Sequence, residues 1–66
     1  MKEMTLELIK SLIDGEATRM RENRIKRYSK EETQIWVKGL VVGMTKAFVA
    51  AGYISTDEAV QINLDY

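Results

Sequence analysis

Apolar residues recur along this chain first as a single helical stripe, then almost continuously, and then as a short ambiguous run. Between residues 3 and 27, Leu6, Ile9, Leu12, Ile13, Ala17 and Met20 share one face at about 100° per residue, with Leu8 at its margin. That spacing predicts an amphipathic helix over about 3–27. Acidic Glu3, Glu7 and Asp14 favour its first half, and basic Arg19, Arg21, Arg24, Lys26 and Arg27 crowd the second, the order a helix dipole favours. Gly15 interrupts the stripe, either as a weak point or as a position of close contact.

The stretch 29–52, SKEETQIWVKGLVVGMTKAFVAAG, is the most apolar part of the chain and predicts a helix over about 30–51. Ser29 followed by Glu32 forms a capping box, and Glu31 and Glu32 lie in the first turn. Gly52 ends the run in the manner of a left-handed C-terminal cap. Trp36, Val37, Leu40, Val41, Met44, Ala47, Phe48 and Ala51 share one broad face. A second stripe, Ile35, Val42 and Val49, falls nearly opposite, and a third holds the small residues Gly39, Gly43 and Ala50, with Ala47 beside it. Lys38, Thr45 and Lys46 are left as the open polar strip. A helix apolar on most sides is buried on most sides. Two glycines inside it cost about 1 kcal/mol each against alanine, which implies a packing reason such as close approach of another helix.

The connection around Tyr28 is only one or two residues long, so the two helices form an antiparallel hairpin. After Gly52, Ser55 with Glu58 is another capping box, and a short helix over about 56–62 follows, with Tyr53 and Ile54 folded back on the hairpin. The final three or four residues are expected to be extended. A competing pattern runs through the same segment. Val60, Ile62, Leu64 and Tyr66 alternate with Gln61, Asn63 and Asp65, the period of a half-buried strand, which needs an edge from a second subunit or a partner.

Length changes this picture most. A chain of 66 residues is a single small domain that buries only about 60% of its unfolded surface and is marginal alone. With no Cys and no His, disulfides and the usual metal sites are excluded, which leaves oligomerisation as the support. The expected fold is therefore all-α: a helical hairpin plus a short C-terminal helix, paired into a dimeric helical bundle. Ten basic and ten acidic residues balance, so no global field steers the chain to nucleic acid or an anionic membrane. Residues 35–54 are long enough to span a bilayer, but Lys38, Lys46 and charged flanks oppose it. The start, MKEMTLEL, lacks a signal peptide's apolar core, and a cytoplasmic protein is the expectation.

Catalytic, cofactor-binding and metal-ligating constellations are not found. Without His or Cys, Ser11, Ser29 and Ser55 have no base to activate them. Glu31–Glu32 and Asp57–Glu58 are neighbours diverging by about 100° and do not converge on a substrate. Gly39 and Gly43 lie inside a helix and form no phosphate loop. The chain is read as a non-enzyme.

The segment 19–30 holds six basic residues and one acid. It can be a phosphate-binding patch built from Arg19, Arg21, Arg24, Lys26, Arg27 and Lys30. It can equally be a solvated hairpin tip, in which Arg24 and Arg27 pair with Glu31 and Glu32 across the turn. Only Tyr28 interleaves, so a stacking platform for single strands is missing. The expectation is the solvated tip.

Short, cysteine-free, helical and closing on a capped Asp57–Glu58–Ala59 turn, the chain is similar in general look to small accessory proteins of phages and other bacterial mobile elements. Function then means binding. The expected dimer interface is Trp36, Gly39, Leu40, Gly43, Met44, Ala47 and Phe48. The expected partner surface is Ile35, Val42, Val49 and Tyr66 with Arg24 and Arg27, although the valine stripe can itself be the dimer interface. The leading reading is a regulator or inhibitor that binds a larger protein as a homodimer. The alternatives are a nucleic-acid-binding dimer using the basic segment and a purely structural assembly component.

Overall fold

The computed structural model describes residues 4–24 and 27–66, with Arg24 described in its backbone alone. All regular structure among them is helical: α1 (Leu6–Arg24), α2 (Lys30–Ala50) and α3 (Thr56–Leu64), with no strand. The expected continuation of the first helix to residue 3 and across residues 25–26 lies outside the described residues.

Side chains at the ends explain why each helix starts and stops where it does. Thr5 caps α1: its hydroxyl accepts the Leu8 amide at 3.1 Å, a start hidden from the capping-box signature because Leu8 occupies the place of the Glu. Ser29 accepts the Glu32 amide at 3.1 Å and donates its hydroxyl to the Glu32 carboxylate at 3.2 Å. Ser55 and Glu58 form the full reciprocal box, at 3.1 and 2.8 Å. Gly52 adopts φ +81°, a left-handed conformation that only glycine takes without strain. Its amide donates to Val49 and that of Tyr53 to Phe48, both at 3.0 Å, which is the Schellman arrangement. The accompanying apolar contact is the edge-to-face pair of Phe48 and Tyr53, with ring centroids 6.3 Å apart.

Helix α2 is the centre, with α1 packed along one side and α3 along another. Ile9, Ile13 and Ala17 of α1 meet Val37 and Val41 of α2, and Ile54, Ala59 and Ile62 close the core. Met44 and Phe48 pack against it, half-buried. Both long helices present an i, i+4 row, since residues four apart stand one above another on one flank. The backbone extends 39 × 21 × 16 Å. A shortest extent of 16 Å leaves little room for a second full layer of helices, each about 10 Å wide, so much of every helix stays open.

The buried face of α2 overlaps the expected broad face only in part: Val37 and Val41 are fully buried, and Met44 and Phe48 pack half-buried against the core. Its fully buried row is Thr33, Val37, Val41 and Thr45, whereas Trp36, Ala47 and Ala51 are exposed and Leu40 is half-buried. The strip of Lys38 and Thr45, expected to face water, is where α3 docks. Thr45 tolerates this because its hydroxyl donates to the Val42 carbonyl at 3.0 Å. It also lies 3.2 Å from the Asn63 side-chain amide. One hydroxyl proton cannot serve two acceptors, so an Asn63 amide turned to present its NH₂ satisfies both groups. Lys38 donates its ammonium to the Asn63 carbonyl, and Gln34 donates to the Tyr66 carbonyl. The Asn63 carbonyl also accepts the Tyr66 amide at 3.2 Å, and a cation there meets the negative end of the helix dipole.

The alternating run 60–66 resolves into two i, i+4 pairs. Ile62 is buried, and Tyr66 packs against the core four residues on, while Val60 and Leu64 point outward. Helix α3 therefore continues to Leu64, further than the expected end near 62, and its last residues are not a strand.

One buried group is left unmatched. Thr33 is buried, and its Oγ1 has no hydrogen-bond partner among the described residues. Thr33→Val keeps the shape and removes that desolvated hydroxyl, which should stabilise the fold by about 1 kcal/mol. For a domain of this size the melting temperature should rise by about 4–8 °C. Thermal melts followed by circular dichroism check this; a lower melting temperature would mean that the hydroxyl is bonded.

Candidate interaction surfaces

Two apolar surfaces remain open on α2, on different sides of it. The first follows Trp36, Leu40, Gly43 and Ala47, a 4-3-4 spacing that keeps one seam facing outward. Trp36 is 52% exposed, and Gly39, Gly43 and Ala47 are exposed as well. A Cβ added to Gly39 or to Gly43 would meet nothing within 4 Å. Both glycines have ordinary helical backbone, since Gly52 is the sole described residue with positive φ. Neither conformation nor contact within the single chain requires them.

Leu8 and Leu12 of α1 border this seam. Helix α1 turns Lys10, Asp14 and Arg21 toward α3, where they line a cleft with Ile62, Asp65 and Tyr66. Its opposite flank turns Glu16, Met20 and Asn23 toward Leu40. Leu12 and Leu8 continue that second flank at four-residue steps. Leu12, read from sequence as core, is 43% exposed because its neighbour Ile13 takes the central position.

The second surface is a groove between α2 and α3, lined by Val42, Thr45, Val49, Ala50, Ala59 and Val60. Val60 is half-exposed at its rim. Ile35 stands elsewhere on α2, 72% exposed, in a cleft with Arg21, Lys30 and Thr33.

The expected interface residues are thus divided. Trp36, Gly39, Leu40, Gly43 and Ala47 share the outward seam, whereas Met44 and Phe48 serve the core of their own chain. Of the expected partner residues, Ile35 is free-standing and Val42 is half-buried in the groove. Val49 and Tyr66 do structural work: both pack against the core. The Tyr66 hydroxyl donates to Asp14 at 3.0 Å, and the Arg21 guanidinium lies 5.6 Å above its ring. Burial first, and then the hydrogen bond and charge of Asp14, hold the Tyr66 phenol above its ordinary pKa of 10.0. A phenol held neutral by its fold stabilises it below that value, and the contribution is lost as pH rises through the raised one. From sequence, a terminal tyrosine carries no sign of such a contact.

The described basic residues of this segment divide between two clefts, Arg19 and Arg27 in one and Arg21 and Lys30 in the other. Arg19 pairs with Glu16 at 3.6 Å, Arg21 covers Tyr66, and Arg27 lies in the cleft with Glu16, Met20 and Leu40. The Glu16–Arg19 pair is the one ion pair among the described residues, so the expected pairing of Arg27 with Glu31 and Glu32 is not formed; the Glu carboxylates sit in the first turn of α2, where Ser29 engages Glu32. The side chains of Arg24 and Lys26 lie outside the described residues.

Among the described residues, no group of three or more acidic, His or Cys side chains could hold a metal ion, and no helix is long and apolar enough to cross a membrane. Comparison with protein-family models, with curated proteins and with solved structures returned no match.

Proposed function

We propose that this protein is a small non-enzymatic regulator or inhibitor that acts as a homodimer and occupies a surface on a larger protein. The observation that carries the reading is the pair of open apolar surfaces on one helix. A chain of 66 residues has little apolar material to spare, yet Trp36, Leu40, Val42 and Ala47 are left wholly or partly in contact with water. Open patches of this kind mark contact sites. The seam through Gly43 suits the second copy. The groove of Val42, Val49 and Val60, with Ile35 beyond it, suits the larger partner.

Side-chain chemistry supports a binding role over catalysis. Carboxylates that could act as acids or bases are used elsewhere: Glu32 and Glu58 in caps, Asp14 on Tyr66. The division of the described cations between two clefts, Arg19 and Arg27 apart from Arg21 and Lys30, weighs against the alternative of a nucleic-acid-binding dimer, because phosphate contacts need cations on one face.

Affinity capture from cell lysate at low and moderate salt, with and without nuclease, tests the reading. A protein should remain bound after nuclease treatment and through the salt increase, and Val42→Glu should release it. Material that is lost with nuclease and falls away steeply with salt would establish the nucleic-acid reading instead.

A further inference from the structure

The outward seam of α2 has a large half and a small half. Trp36 and Leu40 lie toward its N-terminal end, Gly43 and Ala47 toward its C-terminal end. This asymmetry specifies how a second copy can sit on it. If two α2 helices ran parallel, Trp36 would oppose Trp36 and Gly43 would oppose Gly43, holding the helices apart at one end across a void at the other.

Running antiparallel removes this fault. With a two-fold axis midway between Leu40 and Gly43, Leu40 of one copy lies over Gly43 of the other, and Trp36 lies over Ala47. Each large side chain meets a position where the backbone can be approached closely, the role small residues play at tight helix crossings. The helix dipoles also oppose.

From this we propose that the protein dimerises through an antiparallel α2–α2 contact, isologous about the Leu40–Gly43 step, with each Trp36 indole seated in a notch of the other copy. Gly43 and Ala47 floor that notch, and Leu12 and Leu8 of α1 wall it. The proposal rests on the homodimer reading above and adds the surface, the orientation and the register. It also gives Gly43 a role that the single chain does not.

The chain has no cysteine, so single labelling sites can be placed freely. Lys30 is exposed at the start of α2, away from the seam. In a Lys30→Cys protein carrying a nitroxide, the two α2 starts should stand on the order of 35 Å apart in the antiparallel dimer, and within roughly 10 Å in a parallel one. Pulsed electron-electron distance measurement, with mass by light scattering on the same sample, reads the difference. A distance near the long value, lost together with dimer mass in Lys30→Cys/Gly43→Leu, is the expected result. A short distance in a particle of dimer mass overturns the orientation and leaves the homodimer standing. A long distance that survives Gly43→Leu moves the contact to another face and overturns the proposal too. A mass that stays at 7.6 kDa overturns both the proposal and the homodimer.

Discussion

Gly43→Leu is expected to raise the melting temperature of the dilute, monomeric protein by about 4–8 °C while abolishing its self-association. The two effects have separate origins. Within one chain, a Cβ at Gly43 meets nothing within 4 Å, so leucine gains the helix propensity that glycine lacks, about 1 kcal/mol, without a clash. Between two chains, the same side chain occupies the space that Leu40 of the other copy requires. Overpacking costs about 1–3 kcal/mol at one site. The two-fold symmetry presents that site twice, so the dissociation constant should weaken by about thirtyfold to about twenty-thousandfold. Sequence alone suggests only a destabilising overpacked variant; the open surroundings of Gly43 change the sign for the monomer and keep it for the dimer. Thermal melts at low concentration and sedimentation at high concentration separate the two. A variant that still dimerises as wild type would remove Gly43 from the interface.

The second large effect concerns the core. Ile13→Ala should cost about 2–5 kcal/mol, because Ile13 is fully buried and its loss leaves a cavity. For 66 residues the whole stability is of the order of 3–10 kcal/mol, so this variant should be largely or wholly unfolded in mild denaturant. Leu12→Ala next to it should cost far less in the monomer, since Leu12 is already 43% exposed and alanine is the better helix former. Urea titrations of the two variants at low concentration make the comparison. Equal losses would mean that α1 is rotated from the orientation described.

Leu12 and Ile13 also show how far the chain could be read before its fold was known. The three helices were legible because their signals are local: Ser29 and Ser55 with glutamates three residues on, and Gly52 at the end of an apolar run. Which face each helix buries was legible only in part. Adjacent positions such as Leu12 and Ile13 both fit a broad stripe, and the choice between them depends on where the third helix lies. Nothing local to α2 announces that α3 will dock over Thr45 and Lys38. Their burial becomes favourable only when Val42, Asn63 and the carbonyls ending α3 supply partners. A polar strip thus turned inward, and Trp36 turned out. Tyr66 was expected on the partner surface, but its phenol is held by Asp14 and Arg21 across 52 and 45 residues of sequence, separations to which local patterning is blind. The glycine pair drew attention as a packing feature, yet its surroundings in the single chain are empty, and the proposed dimer would supply the missing packing at Gly43.

The most direct test of that conclusion is the sedimentation-equilibrium mass of the unmodified protein across a wide concentration range. The paired-helix account predicts a rise from 7.6 kDa toward twice that value, with a midpoint near micromolar concentration. A mass fixed at 7.6 kDa up to millimolar concentration would contradict it.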